Sequence, residues 1–342
     1  MKTTSFLIQN SKTLVFLILL NFSCSIFAQT DIQKKTEISY GRPDLKPTNE
    51  GAFVTGDDVK QIKASKIIVA QVGNKDLDDA LYNSVKKFWT FTSDIEQMPY
   101  NKAIELAKQN KGILVFSQTE TISSSNLRKS VNNGPGEFAS SYEKYKRTSF
   151  GRMIMIEDGK QEVLLGNNIP SFGDENILTE ESLSFGVSAM NSVMIVFDKY
   201  NLKNSYKTRP KFKDHAGDSI KNRTLLIPKE LLEDKITESI ISKIYPGKFK
   251  IVPYEEYRKA ILNKEKGMAY VIFSPMAVAG KIGYIQYIMD AENGFTLGVY
   301  VPSGGSIELG PGLGEHNVSK GNTGEINEKC LKGYKKIYKG TW

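Results

Sequence analysis

The chain has 342 residues, with 46 Lys and Arg against 38 Asp and Glu, a net charge of +8. The charges are interspersed without a long basic run, which argues for a solvated mixed surface and against nucleic acid as a partner. The two cysteines, Cys24 and Cys330, exclude a disulfide framework and a multi-cysteine metal site.

The first 28 residues read as a targeting segment. Lys2 and Lys12 give a positive start, Leu14–Leu20 an apolar run too short to span a membrane comfortably, and Ala28 a small residue before Gln29. This predicts a secretory signal peptide cut near Ala28 and a mature chain without a transmembrane segment, in the periplasm or outside the cell. An uncleaved anchor and a lipoprotein acylated on Cys24 are the alternatives; Asn21 and Phe22 fit the lipid signal badly. Cleavage removes Lys2 and Lys12, lowering the net charge from +8 to +6, and leaves Cys330 as a lone thiol. Its place on an apolar stripe with Ile326, Tyr334 and Ile337 predicts a buried cysteine.

Residues 29–65 are rich in turn formers and show no persistent period, so an extended lead-in is expected. Ile67–Ala70 then reads as a buried strand. Residues 74–88 follow as a helix with Leu77, Leu81, Val85 and Phe88 on one face. Asp76, Asp78 and Asp79 crowd its first turn and Lys86 and Lys87 its last, which suits the helix dipole. The aspartates lack the spacing of a calcium loop. Trp89–Thr92 reads as a second strand, and Pro99 opens a helix whose inner face is Tyr100, Ala103, Ile104 and Ala107. Gly112 follows as its cap, and Ile113–Phe116 is the third strand. A hairpin at 152–165 and a helix lined by Leu183, Val187, Met190, Met194 and Phe197 close the unit.

The same order returns after a polar, basic linker at 206–221. Leu225–Ile227 is the strand, Leu232, Ile236, Ile240 and Ile244 the first helix stripe, and Phe249–Val252 the second strand. Pro253 opens the next helix, Gly267 ends it, and Ala269–Phe273 is the third strand. A hairpin at 282–297 and a helix lined by Ile326, Cys330, Tyr334 and Ile337 complete it. Phe116-Ser117 and Phe273-Ser274 look like matching strand ends. The prediction is an α/β fold with mixed sheets, built as two tandem β-α-β-α-β-β-β-α modules at 66–205 and 222–342.

Module one carries an insertion at 118–150 where module two has about eight residues. It mixes Arg128 and Lys129 with Phe138, Tyr142 and Tyr145, a combination suited to contact surfaces, and these five are the candidate binding residues.

The strand–helix–strand–helix–strand pattern, with a short strand of the form Phe249-Lys250-Ile251-Val252-Pro253, resembles the TolB amino-terminal domain. It is also similar to the repeating core of CsgG-type envelope proteins. The resemblance covers about 52 residues of each half. It implies a non-catalytic α/β module for assembly and protein contact at the bacterial envelope. Ser117 and Ser274 stand where such modules often show Gly, and no site is carried over.

Catalytic signals are sparse. His215 and His316 have no second ligand at metal spacing, and the run Gly304–Gly314 is spoiled as a phosphate loop by Pro311. Glu180-Glu181 and Glu255-Glu256 sit at helix starts, where the dipole accounts for them. No metal or cofactor is expected. The leading expectation is a non-enzymatic envelope protein that binds another protein. A small-molecule or glycan binder using the inter-module cleft, and an enzyme with an unrecognised site, stay open.

Overall fold

A computed structural model describes residues 54–120, 148–159, 163–172, 179–203, 208–278, 281–301 and 325–342. The first half comprises α1 (Gly56–Ala64), β1 (Lys66–Gln71), α2 (Lys75–Phe88), β2 (Ile95–Pro99), α3 (Tyr100–Gln109), β3 (Ile113–Glu120), β4 (Thr148–Glu157), β5 (Val163–Phe172) and α4 (Glu180–Tyr200). Helix α5 (Thr208–Ala216) leads to the second half. That half comprises β6 (Thr224–Pro228), α6 (Glu238–Ile244), β7 (Phe249–Val252), α7 (Tyr254–Leu262), β8 (Met268–Val278), β9 (Lys281–Asp290), β10 (Thr296–Tyr300) and α8 (Glu328–Tyr338).

The fold is α/β with two five-stranded mixed sheets. Sheet one runs β2-β1-β3-β4-β5 and sheet two β7-β6-β8-β9-β10. In each, the first strand pairs parallel with the second and third, and the last three strands pair antiparallel. The parallel pairs follow from the crossover helices between their strands, and the two-residue β8–β9 link can return only an antiparallel strand. Backbone details agree as well. Lys66 N donates to Gly112 O at 2.8 Å, and Thr224 N to Gly267 O at 2.9 Å. Pro99 and Pro253 are the N-cap residues of α3 and α7, one position before the expected first turn. The ladders pair Lys66 with Ile113 and Thr224 with Met268, so Val271, not Phe273, stands where Phe116 does. The apparent Phe-Ser match is therefore slipped by two residues, and a two-residue slip keeps the side chain on the same face.

Several segments differ from expectation, among them the linker expected at 206–221, which contains helix α5. Within the lead-in, residues 56–64 are helical. Thr55 and Asp58 form a reciprocal capping box, and Val59 and Ile62 supply the buried side. Residues 89–93 are not a strand: the Asn191 side chain accepts from Thr90 N at 2.9 Å and Phe91 N at 3.1 Å, and β2 begins at Ile95. The first helix of the second half begins at Glu238, with Thr237 as its cap. Leu232 instead follows a 3-10 turn and bridges to Ile326.

The layers explain the packing. Helices α2 and α4 cover one face of sheet one, and α3 covers the other through Ala103, Ile104 and Ala107. Helices α6 and α8 cover the outer face of sheet two through Ile241, Cys330, Tyr334 and Ile337. Its inner face, with Tyr270, Ile272, Tyr287 and Val299, joins the same core as α4 and α7. Helix α4 thus lies between the two sheets, and from Glu181 to Phe197 all but Ile195 is buried. Gly186 lets it approach closely: a Cβ there would lie 2.4 Å from Ile169 Cγ2 and 2.5 Å from Ile154 Cδ1. Among the described residues, no helix is long and apolar enough to cross a membrane.

Candidate functional site: the junction around Glu181

The densest buried polar chemistry lies where α4 meets α7. Glu180 and Glu181 occupy the first turn of α4, the favourable end for anions. Glu180 remains partly exposed, but Glu181 falls on the side facing module two and is 0% exposed. A buried carboxylate requires charged or hydrogen-bonding partners. Helix α7 supplies both from one face, since Tyr254 and Arg258 are four residues apart. Tyr254 Oη donates to Glu181 Oε1 at 2.6 Å, and Arg258 Nε donates to Oε2 at 3.0 Å.

The surroundings fix these groups. Tyr254 stacks on Tyr257, with ring centres 5.6 Å apart, and Tyr257 Oη donates to Val271 O at 2.8 Å. Burial, then the adjacent Glu181 charge, pushes the Tyr254 phenol far above its ordinary range. The Glu181 carboxylate also raises Arg258. With both oxygens engaged and no exposure, Glu181 is placed as an electrostatic clasp between halves, poorly suited to meet a substrate.

Other contacts join the halves. Thr296 N donates to Ser192 Oγ at 3.0 Å, and Ser274 Oγ to Asn168 O at 2.8 Å. Lys87 Nζ donates to Leu262 O, while Lys264 Nζ reaches Lys87 O at 3.4 Å. Each lysine meets a carbonyl at the other helix's C-terminal end, where the dipole favours a cation.

The remaining buried acids among the described residues are also engaged. Glu157 Oε1 accepts from Tyr100 Oη at 3.0 Å and Ser117 Oγ at 3.1 Å. Asp290 Oδ2 accepts from Arg223 Nη2 at 2.8 Å. Asp78 accepts from Val72 N at 2.8 Å and Gly73 N at 3.1 Å. That last contact matters because α/β folds bind ligands outside the carboxyl ends of parallel strands. After β1, the loop amides that face outward in such sites are bound by the protein's own carboxylate.

One row of sheet one carries two amide side chains with unsatisfied polar atoms on either side of an apolar residue. Gln118, Ile154 and Asn167 are neighbours across β3, β4 and β5. Both side-chain polar atoms of Gln118, and Nδ2 of Asn167, are buried without a hydrogen-bond partner. The equivalent row of sheet two is Phe273, Gln286 and Tyr300. There Gln286 is satisfied: it donates to Cys330 Sγ at 3.1 Å and accepts from Tyr334 Oη at 2.6 Å.

The sequence-predicted binding residues Arg128, Lys129, Phe138, Tyr142 and Tyr145 lie outside the described residues, as do His316 and the Gly304–Gly314 run. The strands flanking the insertion are described. Glu120 of β3 and Arg152 of β4 are ladder partners. In module two, Val278 and Lys281 pair directly, so only residues 279 and 280 join β8 to β9, fewer than the eight expected. Cys330 is buried, and burial raises its thiol pKa. His215, expected in an open linker, lies instead on α5 with its ring stacked on Phe295 at 4.4 Å.

Sequence reasoning missed Glu181, Tyr254 and Arg258 as a group because helix-start charge accounted locally for the acid. A signal was present: residues 182–197 contain no charged side chain, which marks a helix buried on all sides. Among the described residues, no group of three or more His, Cys, Asp and Glu could hold a metal ion. The chain matches no known protein family, curated protein or solved structure.

Proposed function

We propose that this chain is a non-enzymatic, exported envelope protein that binds another protein, with the contact surface carried by residues 121–147; the insertion expected at 118–150 is narrower, because 118–120 belong to β3 and 148–150 to β4. The supporting observation is the asymmetry of two halves with the same strand order. The β3–β4 connection spans residues 121–147, and its β8–β9 counterpart spans 279–280. Segment 121–147 is thus extra to a connection that two residues accomplish in module two. Its cations and aromatics suit protein contact, and the engaged state of the buried carboxylates fits a scaffold better than an acid–base catalyst. The resemblance to TolB-type and CsgG-type modules points the same way.

The test places a photo-crosslinking residue at Phe138 or Tyr142 in the full-length protein within its own cells. A discrete protein adduct is expected, and it should disappear from a variant crosslinked at Lys243 on the far side of module two. No adduct at either insertion position, in exported and folded protein, would refute the proposal. Replacing 121–147 with a two-residue turn should preserve cooperative melting, because surface loops close at small entropic cost.

A second reading is favoured by the unpartnered row. Gln118 and Asn167 together present amide donors and an acceptor without a charge, which suits a neutral, hydrogen-bonding small molecule. Native mass spectrometry of protein isolated from its envelope should then show added mass, and Asn167→Leu should abolish it. If the site is empty, the same substitution removes an unsatisfied amide and raises Tm instead.

A further inference from the structure

The two halves are joined in sequence by a helix, α5, that carries a histidine, His215, at its seat. Helix α5 packs against the C-terminal turns of α4 and the β9–β10 hairpin. Phe212 and Ala216 face inward, and the Phe212 and Phe295 rings meet edge to face at 6.0 Å. His215 stacks on Phe295 with an interplanar angle of 30° and meets the Tyr200 ring edge at 6.5 Å. Phe295 packs against the cores on both faces of sheet two, so the ring under His215 belongs to the hairpin's foundation.

We propose that His215 makes the seating of α5 pH-sensitive, so that acidification loosens the helix linking the two halves. The neutral ring is well accommodated as an aromatic plate. An imidazolium is not, because both ring nitrogens then carry protons, and Nδ1 is buried with no hydrogen-bond partner. The charges nearby are mostly of the wrong sign. From α4 come Lys199, which lies over the Tyr200 ring, and Tyr200 itself. From α5 come Lys213, Lys211 and Asp214, and the last two pair with each other at 2.7 Å. On the hairpin, Asp290 is bound by Arg223, and Glu292 lies 3.8 Å from the same guanidinium. A cation stacked on Phe295 gains some cation–π attraction, but this does not supply the missing acceptor at Nδ1.

The direction is set by linkage. Burial and then Lys199 hold His215 below its ordinary value of 6.5. The unfolded or undocked segment therefore takes up its proton first. The seat is at full strength above about pH 6.5 and weakens as pH falls below it.

Amide hydrogen exchange of residues 211–217 in the full-length protein tests this. After correction for intrinsic exchange, protection should fall by up to about tenfold per pH unit below about 6.5, the limit for one proton. Protection in α2 should stay nearly constant. His215→Phe, which retains the ring stack, should remove the pH dependence; His215→Gln serves as a second neutral variant. A proton NMR titration should give a His215 midpoint below 6.5, assigned by its loss in either variant. Constant wild-type protection between pH 7.5 and 5, the same fall in both variants, or a midpoint at or above 6.5 would overturn the proposal.

Discussion

Replacing Arg258 with Met removes the one cation that pairs with Glu181 among the described residues, while keeping most of the side-chain volume. Glu181 is 0% exposed, and the substitution leaves its carboxylate with the Tyr254 hydroxyl. Breaking a buried ion pair by deleting one partner costs about 3–5 kcal/mol. Arg258 is 39% exposed, so water can enter where the guanidinium stood, and the expected cost falls to about 2–3 kcal/mol. Glu181→Gln should cost less, about 1 kcal/mol, because the amide oxygen still accepts from Tyr254 and Arg258 can turn towards solvent. The double variant Glu181→Leu with Arg258→Met should be more stable than Arg258→Met alone, since no buried charge remains. Urea unfolding followed by tryptophan fluorescence and far-UV circular dichroism measures all three. Midpoint and slope should be fitted separately, because loosening of one half changes the slope. If Arg258→Met stays within about 0.5 kcal/mol of wild type, the clasp contributes nothing beyond an ordinary surface pair, and the account of the junction is wrong.

Gly186→Ala should lower Tm. The added methyl meets Ile169 and Ile154 at 2.4 and 2.5 Å, an overpacking cost of about 1–3 kcal/mol that outweighs the helix-propensity gain of about 1 kcal/mol. Cys330 should react slowly with a thiol reagent in the native protein and rapidly in urea, because burial both shields the thiol and disfavours its thiolate. Residues 29–205 expressed alone should bind hydrophobic dyes and resist proteolysis poorly. The α4 side that meets sheet two would be uncovered, including Phe185, whose ring packs on Tyr287 at 5.1 Å. A sharp, cooperative melt of that fragment would contradict the packing described here.

Much of the architecture was legible along the chain because elements and their breaks are local matters. Gly112 and Gly267, Pro99 and Pro253, and the apolar stripes of α2, α4 and α8 each mark their own element. Periodicity therefore located the strands and the closing helices. It misplaced β2 because Trp89 and Phe91 look like strand residues, whereas Trp89 is buried beside Phe116 and the neighbouring amides are bound by Asn191, about 100 residues later. It read α5 as linker because a helix rich in lysine, with few inward residues, has little periodic signal.

Burial on a second face was decided only by the tertiary structure. The residues of α4 between its large apolar positions include Ser184, Ser188, Ala189 and Ser192, which look like a solvent side. All four are buried: Ser188 and Ser192 lie against the β9–β10 hairpin of sheet two, where their small size permits a close approach, and Ser184 meets Ser84 of α2. The same event takes Glu181 out of water and makes Tyr254 and Arg258 its partners. A helix-start glutamate is explained locally by the dipole, so its own surroundings in sequence carry no sign of an arginine 77 residues away. Local preference determines which elements form, but the cost of burying a charge is determined by whatever packs against it, and that is a property of the assembled fold.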